Sequence, residues 1–162
     1  MKRNDHPSFV GIDRLKREHA AQIETFQTWA NARQWQKFHY GHYDWWAFPI
    51  DKPSSHGLKY TFYEGDIAAL NQDAEFVARH RLGLALVALS WGWDIDTASE
   101  LAAPKDNQSW QNWPVRLYKM AYSAKLFGRT GDFESLKKYA IILVGRGQVF
   151  EYGGRDLTWV FK

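Results

Sequence analysis

The chain has 162 residues, 45% hydrophobic and 24% charged, a balance that fits an ordered globular domain and excludes a disordered or fibrous chain. With no cysteine, it has neither disulfides nor thiolate metal sites, and a formal net charge of +3 does not by itself imply a nucleic-acid partner. Its unusual feature is aromatic content: nine Trp, eight Tyr and ten Phe.

Met1 to Val10 holds no apolar stretch of the kind a signal peptide needs. The longest apolar run, Leu82 to Trp93, falls short of the roughly 20 residues that cross a bilayer, so it reads as a buried helix. A cytoplasmic chain with no membrane partner is the resulting expectation. Charge is uneven along it. Residues 1–38 carry seven basic and four acidic groups, 39–105 carry five and nine, and 106–162 carry nine and five. Either the basic ends dock on the acidic middle or simply solvate the surface, or the surface is bipolar with one face for an anionic partner.

The first periodic segment follows Asp13, read as an N-cap, with Leu15, His19, Ile23, Phe26 and Trp29 on one stripe. Trp35 and Phe38 fall out of that phase, so either the helix breaks near Asn31 or its last turns pack against a different neighbour. Residues 39–57 have no helical phase and are punctuated by Gly41, Pro49, Pro53 and Gly57. This irregular segment is too aromatic to lie wholly in water, so it must cover the core or line a pocket. Alternation from Leu58 to Tyr63 predicts a short strand, and Asp66 a helical turn through Leu70.

Asp73 reads as the N-cap of a central helix carrying Phe76, His80, Leu84, Val87 and Trp91. Pro114 suits the first turn of a further helix and Gly128 its stop. That helix is apolar almost all round, interrupted by a stripe of Arg116, Lys119 and Ser123. Asp132 is the expected cap of a fourth helix, and Gly153-Gly154 the turn of a C-terminal β-hairpin near 148–161. The sequence therefore predicts one α+β domain over 1–162, mainly α-helical, with three or four helices, a short strand near 58–63 and that hairpin.

Two sets of residues are candidates for chemistry. Tyr43, Trp45 and Trp46 offer ring faces, and Arg116 and Lys119 offer positive charge beside a helix N-terminus, together a surface for a protein partner or a small anionic ligand. Against this, Trp and Tyr commonly pack in cores, and a buried Arg commonly meets an internal carboxylate such as Asp44, Asp94 or Asp96. The second set, His39, His42, Asp44, Asp94 and Asp96, contains imidazoles and carboxylates that suit a divalent metal. HxxH here lacks the glutamate of HExxH, and Asp-x-Asp equally begins a turn. His19 and His80, inward on different helices, are expected as core histidines, and a meeting of the two is the less expected alternative.

The leading expectation is a small cytosolic binding or interaction domain, using the aromatic segment and the Arg/Lys stripe, with no cofactor. The alternative is a metal-dependent hydrolase of a phosphate ester. A weaker one is nucleic-acid binding by the basic ends.

Overall fold

The computed structural model describes all 162 residues. Helices take 54% of the chain, and the named β-structure is two small antiparallel hairpins, so the fold is mainly helical α+β. Seven α-helices occur where three or four were expected. The additional ones are α2 (Trp35–Tyr40) and α3 (Asp44–Ala47), too short for a hydrophobic period to reveal, and α4 (Glu64–Asn71), which extends the single turn expected from Asp66 to Leu70.

Helix α1 (Ile12–Asn31) starts one residue before Asp13, so Gly11 takes the cap position and Asp13 lies in the first turn. Of the two alternatives the break is the one found: α1 ends at Asn31, and Arg33 at φ 56° turns the chain into α2. Helix α5 (Ala74–Ser90) is capped as expected: Asp73 Oδ1 accepts from Glu75 N at 3.0 Å and Phe76 N at 3.2 Å. Helix α1 packs along α5, and Gly83 of α5 leaves only Ile23 Cδ1 within 2.7 Å of where a Cβ would sit. His19 and His80 meet in this interface at 6.3 Å between ring centroids, and neither is exposed.

Helix α6 (Pro114–Leu126) opens on its proline and stops at Gly128, whose φ of 75° is the left-handed conformation of a C-terminal glycine. It packs along α7 (Thr130–Gly145). Asp132 does not cap α7; it lies inside the first turn and pairs with Arg81 at 3.4 Å. The central core joins these helices to the hairpin β1–β2 (Trp93–Asp94, Ser99–Glu100), whose Trp93 is buried. Its indole donates to Ser135 Oγ at 3.1 Å and stacks on Tyr139 at 4.7 Å. A smaller cluster, including Leu15, Phe62, Leu70 and Phe127, closes the other end.

No strand forms over 58–63. Thr61 makes an isolated bridge to Ile50, and its carbonyl accepts from Asn4 Nδ2 at 2.8 Å, so a side chain occupies the edge a neighbouring strand would need.

The C-terminal hairpin is present but short, β3 (Glu151–Tyr152) and β4 (Arg155–Asp156), with Gly153 and Gly154 both at positive φ as a type I′ turn requires. Beyond it, Thr158–Phe161 is a 3-10 helix rather than the end of a strand. Asp156 Oδ1 accepts from Thr158 N at 2.9 Å and from its hydroxyl at 2.7 Å, which starts the turn. Val160 and Phe161 then point inward, while Trp159 stays 43% exposed.

Docking of the basic ends on the acidic middle is present at three ion pairs. Lys16–Asp73, Arg116–Asp44 and Arg146–Glu100 each tie a basic end to the acidic middle.

Candidate functional site

Three segments distant in sequence meet around one cleft of about 1140 Å³: residues 42–60, the start of α6, and the C-terminal hairpin with its 3-10 helix. Phe48, Ile50, Arg116 and Leu157 are buried members of its lining, and Trp45, Tyr60, Trp113 and Trp159 present partly exposed rings.

Helix α3 explains why neighbouring aromatics part company. Successive residues on a helix diverge by about 100°. Trp45 faces the cleft and stacks on Tyr60 at 5.9 Å, whereas Trp46 packs against the smaller cluster under the Arg14 guanidinium at 5.3 Å. Tyr43 is core. It is 1% exposed, donates its hydroxyl to Phe38 O at 2.8 Å and meets Phe26 edge-on at 4.6 Å. Of the three rings proposed from sequence, Trp45 alone lines the cleft.

Arg116 is 2% exposed, with every nitrogen of its fork committed. Its Nε meets Asp44 Oδ1 at 3.0 Å, while Nη1 and Nη2 donate to Phe38 O and Gly41 O, each at 2.8 Å. Tyr43 and Trp113 cover the guanidinium at 4.3 and 4.4 Å. This side chain therefore ties the 38–44 segment to α6 and shapes the cleft from below.

Lys119, one turn further along α6, is different. It lines the cleft half-buried, with its ammonium 5.7 Å above the Trp45 ring and no carboxylate at ion-pair distance. Burial lowers its pKa, opposed by the Asp44 carboxylate and assisted by Arg116. Lys52, 5.9 Å above Trp159, and Arg155 add two exposed cations, likewise without an ion-pair partner. Two carboxylates share the lining with four cations: Asp44 pairs with Arg116 through Oδ1, and Asp156 accepts from the hydroxyl of Thr158. Positive charge with free donors thus outweighs negative charge with free acceptors.

The residues of the metal reading are not assembled. Gly41 adopts an extended conformation that ends α2 and breaks the helical phase between the two histidines. His39 is buried, its Nε2 at 2.6 Å from Asn107 O, while His42 is exposed at the cleft near Asp44. Asp94 caps the β1–β2 turn by accepting from Asp96 N at 2.9 Å and Thr97 N at 3.2 Å. No group of three His, Cys, Asp or Glu side chains stands close enough to hold a metal ion.

Comparison with known proteins finds no matching family model, no matching curated protein and no matching solved structure. No helix is long and apolar enough to cross a membrane.

Sequence reasoning missed Lys52, Tyr60, Trp113, Tyr118, Arg155 and Trp159 as lining residues. Trp113 carried a usable signal, being adjacent to the helix start that presents Arg116. Trp159 carried another, because a large ring after a Gly-Gly turn has to pack somewhere. It does so on Tyr118 and Tyr122 of α6, at 5.8 and 5.0 Å.

Proposed function

We propose that this protein is a cytoplasmic binding domain whose cleft takes a small anionic molecule with a flat apolar body. The observation that carries the reading is the asymmetry of the lining. Lys52, Lys119 and Arg155 have no carboxylate partner, the lining cations outnumber the lining acids Asp44 and Asp156, and Trp45, Trp113 and Trp159 offer ring surface beside the cations. Aromatic surface supplies affinity without direction, and a few charged donors orient the ligand. A concavity walled by three chain segments suits a small molecule better than a flat protein interface does.

The test is titration calorimetry with 1-naphthyl phosphate, which has the charge and the ring, against 1-naphthol, which has the ring alone. The phosphate binds at least tenfold more tightly, and added salt narrows the gap. A charge-assisted hydrogen bond contributes about 1.5–3 kcal/mol when sheltered, and less at a solvent-facing cleft. Lys119→Met and Arg155→Met therefore each weaken phosphate binding by about fivefold or more while leaving naphthol unchanged. Equal affinity for the two probes, or variants without effect, would overturn the proposal.

A further inference from the structure

We propose that Lys119 is the reactive centre of the cleft, its ε-amine condensing reversibly with the carbonyl group of an anionic aldehyde or 2-oxo acid to hold the ligand as an imine. This rests on the reading of the cleft as an anion site and narrows the ligand to one chemical class.

The geometry sets this lysine apart. An ammonium in a folded protein ordinarily stays in water or meets a carboxylate. Lys119 is half-buried on α6, has no ion pair, and reaches into the cleft over an indole face. The like-charged Arg116 lies one turn before it, fixed by three hydrogen bonds, so it cannot swing away from the amine. Partial burial and a neighbouring cation are the two means by which proteins keep a lysine amine neutral enough to attack a carbon. On Lys119 burial is the larger influence and holds its pKa below the ordinary lysine value; Asp44 opposes it, and Arg116, paired with that carboxylate, offsets Asp44 only in part. The other charged or titratable groups at the cleft are His42, Lys52, Tyr60, Tyr118, Tyr152, Arg155 and Asp156.

The condensation balances without an added reagent. The ammonium gives up a proton, the neutral amine attacks the carbonyl carbon and a C–N bond forms. The carbonyl oxygen leaves as water after taking up protons, and the product is a protonated imine carrying the charge the ammonium had. Asp44 engages Arg116 through Oδ1, and its carboxylate, on the same lining, steadies that positive charge. Lys52 and Arg155 are placed to hold the ligand's anionic end.

Pyridoxal 5′-phosphate is the probe, since it joins an aldehyde to a flat ring and a phosphate. The folded protein is incubated with it at neutral pH, reduced with borohydride, digested, and the modified lysines are quantified by mass spectrometry. Lys119 is labelled at least tenfold more than the exposed Lys37 and Lys105, and 1-naphthyl phosphate suppresses that label selectively. Lys119→Arg, which keeps a positive charge but has no amine able to form the imine, gives no label at the site, while Lys37 and Lys105 label as in the parent. Labelling of Lys119 no greater than at Lys37 and Lys105 would overturn the proposal. If 1-naphthyl phosphate still binds in that case, the imine fails and the anion site stands. If 1-naphthyl phosphate does not bind while Lys119 labels selectively, the amine is reactive and the account of anion recognition fails instead.

Discussion

Replacing Arg116 with methionine separates a structural guanidinium from a ligand-binding one. The substitution keeps the buried stem and removes three hydrogen bonds, to Asp44, Phe38 O and Gly41 O. Phe38 O keeps the Tyr43 hydroxyl, and Gly41 O is only partly buried and can reach water. The largest cost is the Asp44 carboxylate, 17% exposed, left without its cation. Breaking a buried pair from one side costs about 3–5 kcal/mol, and the carboxylate's remaining access to the cleft places this case near 3. For a chain of this length that lowers the melting temperature by about 6–12 °C. Urea denaturation followed by tryptophan fluorescence measures it. Arg116→Met/Asp44→Asn, which removes the stranded charge as well, recovers about 1 kcal/mol or more of the loss. A loss below about 1 kcal/mol for Arg116→Met would refute the reasoning, because the guanidinium would then be solvated and free to meet an external anion.

Two further predictions concern the core. His19 is unexposed, and burial drives its pKa from 6.5 down to about 3, with Arg79 acting in the same direction. The unfolded chain takes up a proton near 6.5 that the folded chain refuses, so stability falls as pH drops below 6.5. At about 1.4 kcal/mol per pH unit, the loss from this residue reaches about 2.7 kcal/mol at pH 4.5. His80, with Nε2 at 2.9 Å from Ser123 Oγ and its pKa also held well down by burial, adds to the same trend. His19→Leu reduces the slope of stability against pH by about one proton in urea titrations between pH 6 and 4.5, and an unchanged slope would contradict the assignment. Among the glycines, Gly65→Ala places a Cβ 2.8 Å from Lys2 O and 2.7 Å from Arg3 Cγ, displacing the N-terminal segment; hydrogen exchange at the Gly65 amide, which donates to Lys2 O, accelerates at least tenfold. Gly83→Ala meets only the tip of Ile23, and the gain in helix propensity of about 1 kcal/mol offsets the crowding, so its stability stays within about 1 kcal/mol of the parent. The reverse order of the two effects would sink this account.

The long helices were legible because their signals are local. Asp73, Pro114 and Gly128 mark the ends of α5 and α6 by backbone chemistry that needs no tertiary partner. The break after Asn31 was legible as one of two alternatives from Trp35 and Phe38 leaving the stripe, both residues now buried on α2. The alternation at 58–63 misled because period two states only that a segment is extended; whether a strand forms depends on a neighbour, and here Asn4 takes that place. The acidic cap expected at Asp132 yielded to a tertiary pairing with Arg81.

The site was legible in part. Arg116 stood out as a cation on an apolar helix, yet sequence could not decide between an internal carboxylate and an external one, and Asp44 settles it. Trp45 and Trp46 are equivalent as letters and differ only by where a four-residue helix turns them. Arg155 and Trp159 became lining residues because the glycine turn and the 3-10 helix bring the C-terminus against α6, a long-range event with no period to announce it.

The central claim, that the cleft is where an anion binds, is tested most directly by the indole resonances of the ¹⁵N-labelled protein during titration with 1-naphthyl phosphate. The account predicts saturable shifts at Trp45, Trp113 and Trp159, with Trp46, Trp91 and Trp93 unmoved, and loss of those shifts in Lys119→Met. Shifts that spare Trp45 and Trp159, or that spread evenly over all nine tryptophans, would contradict it.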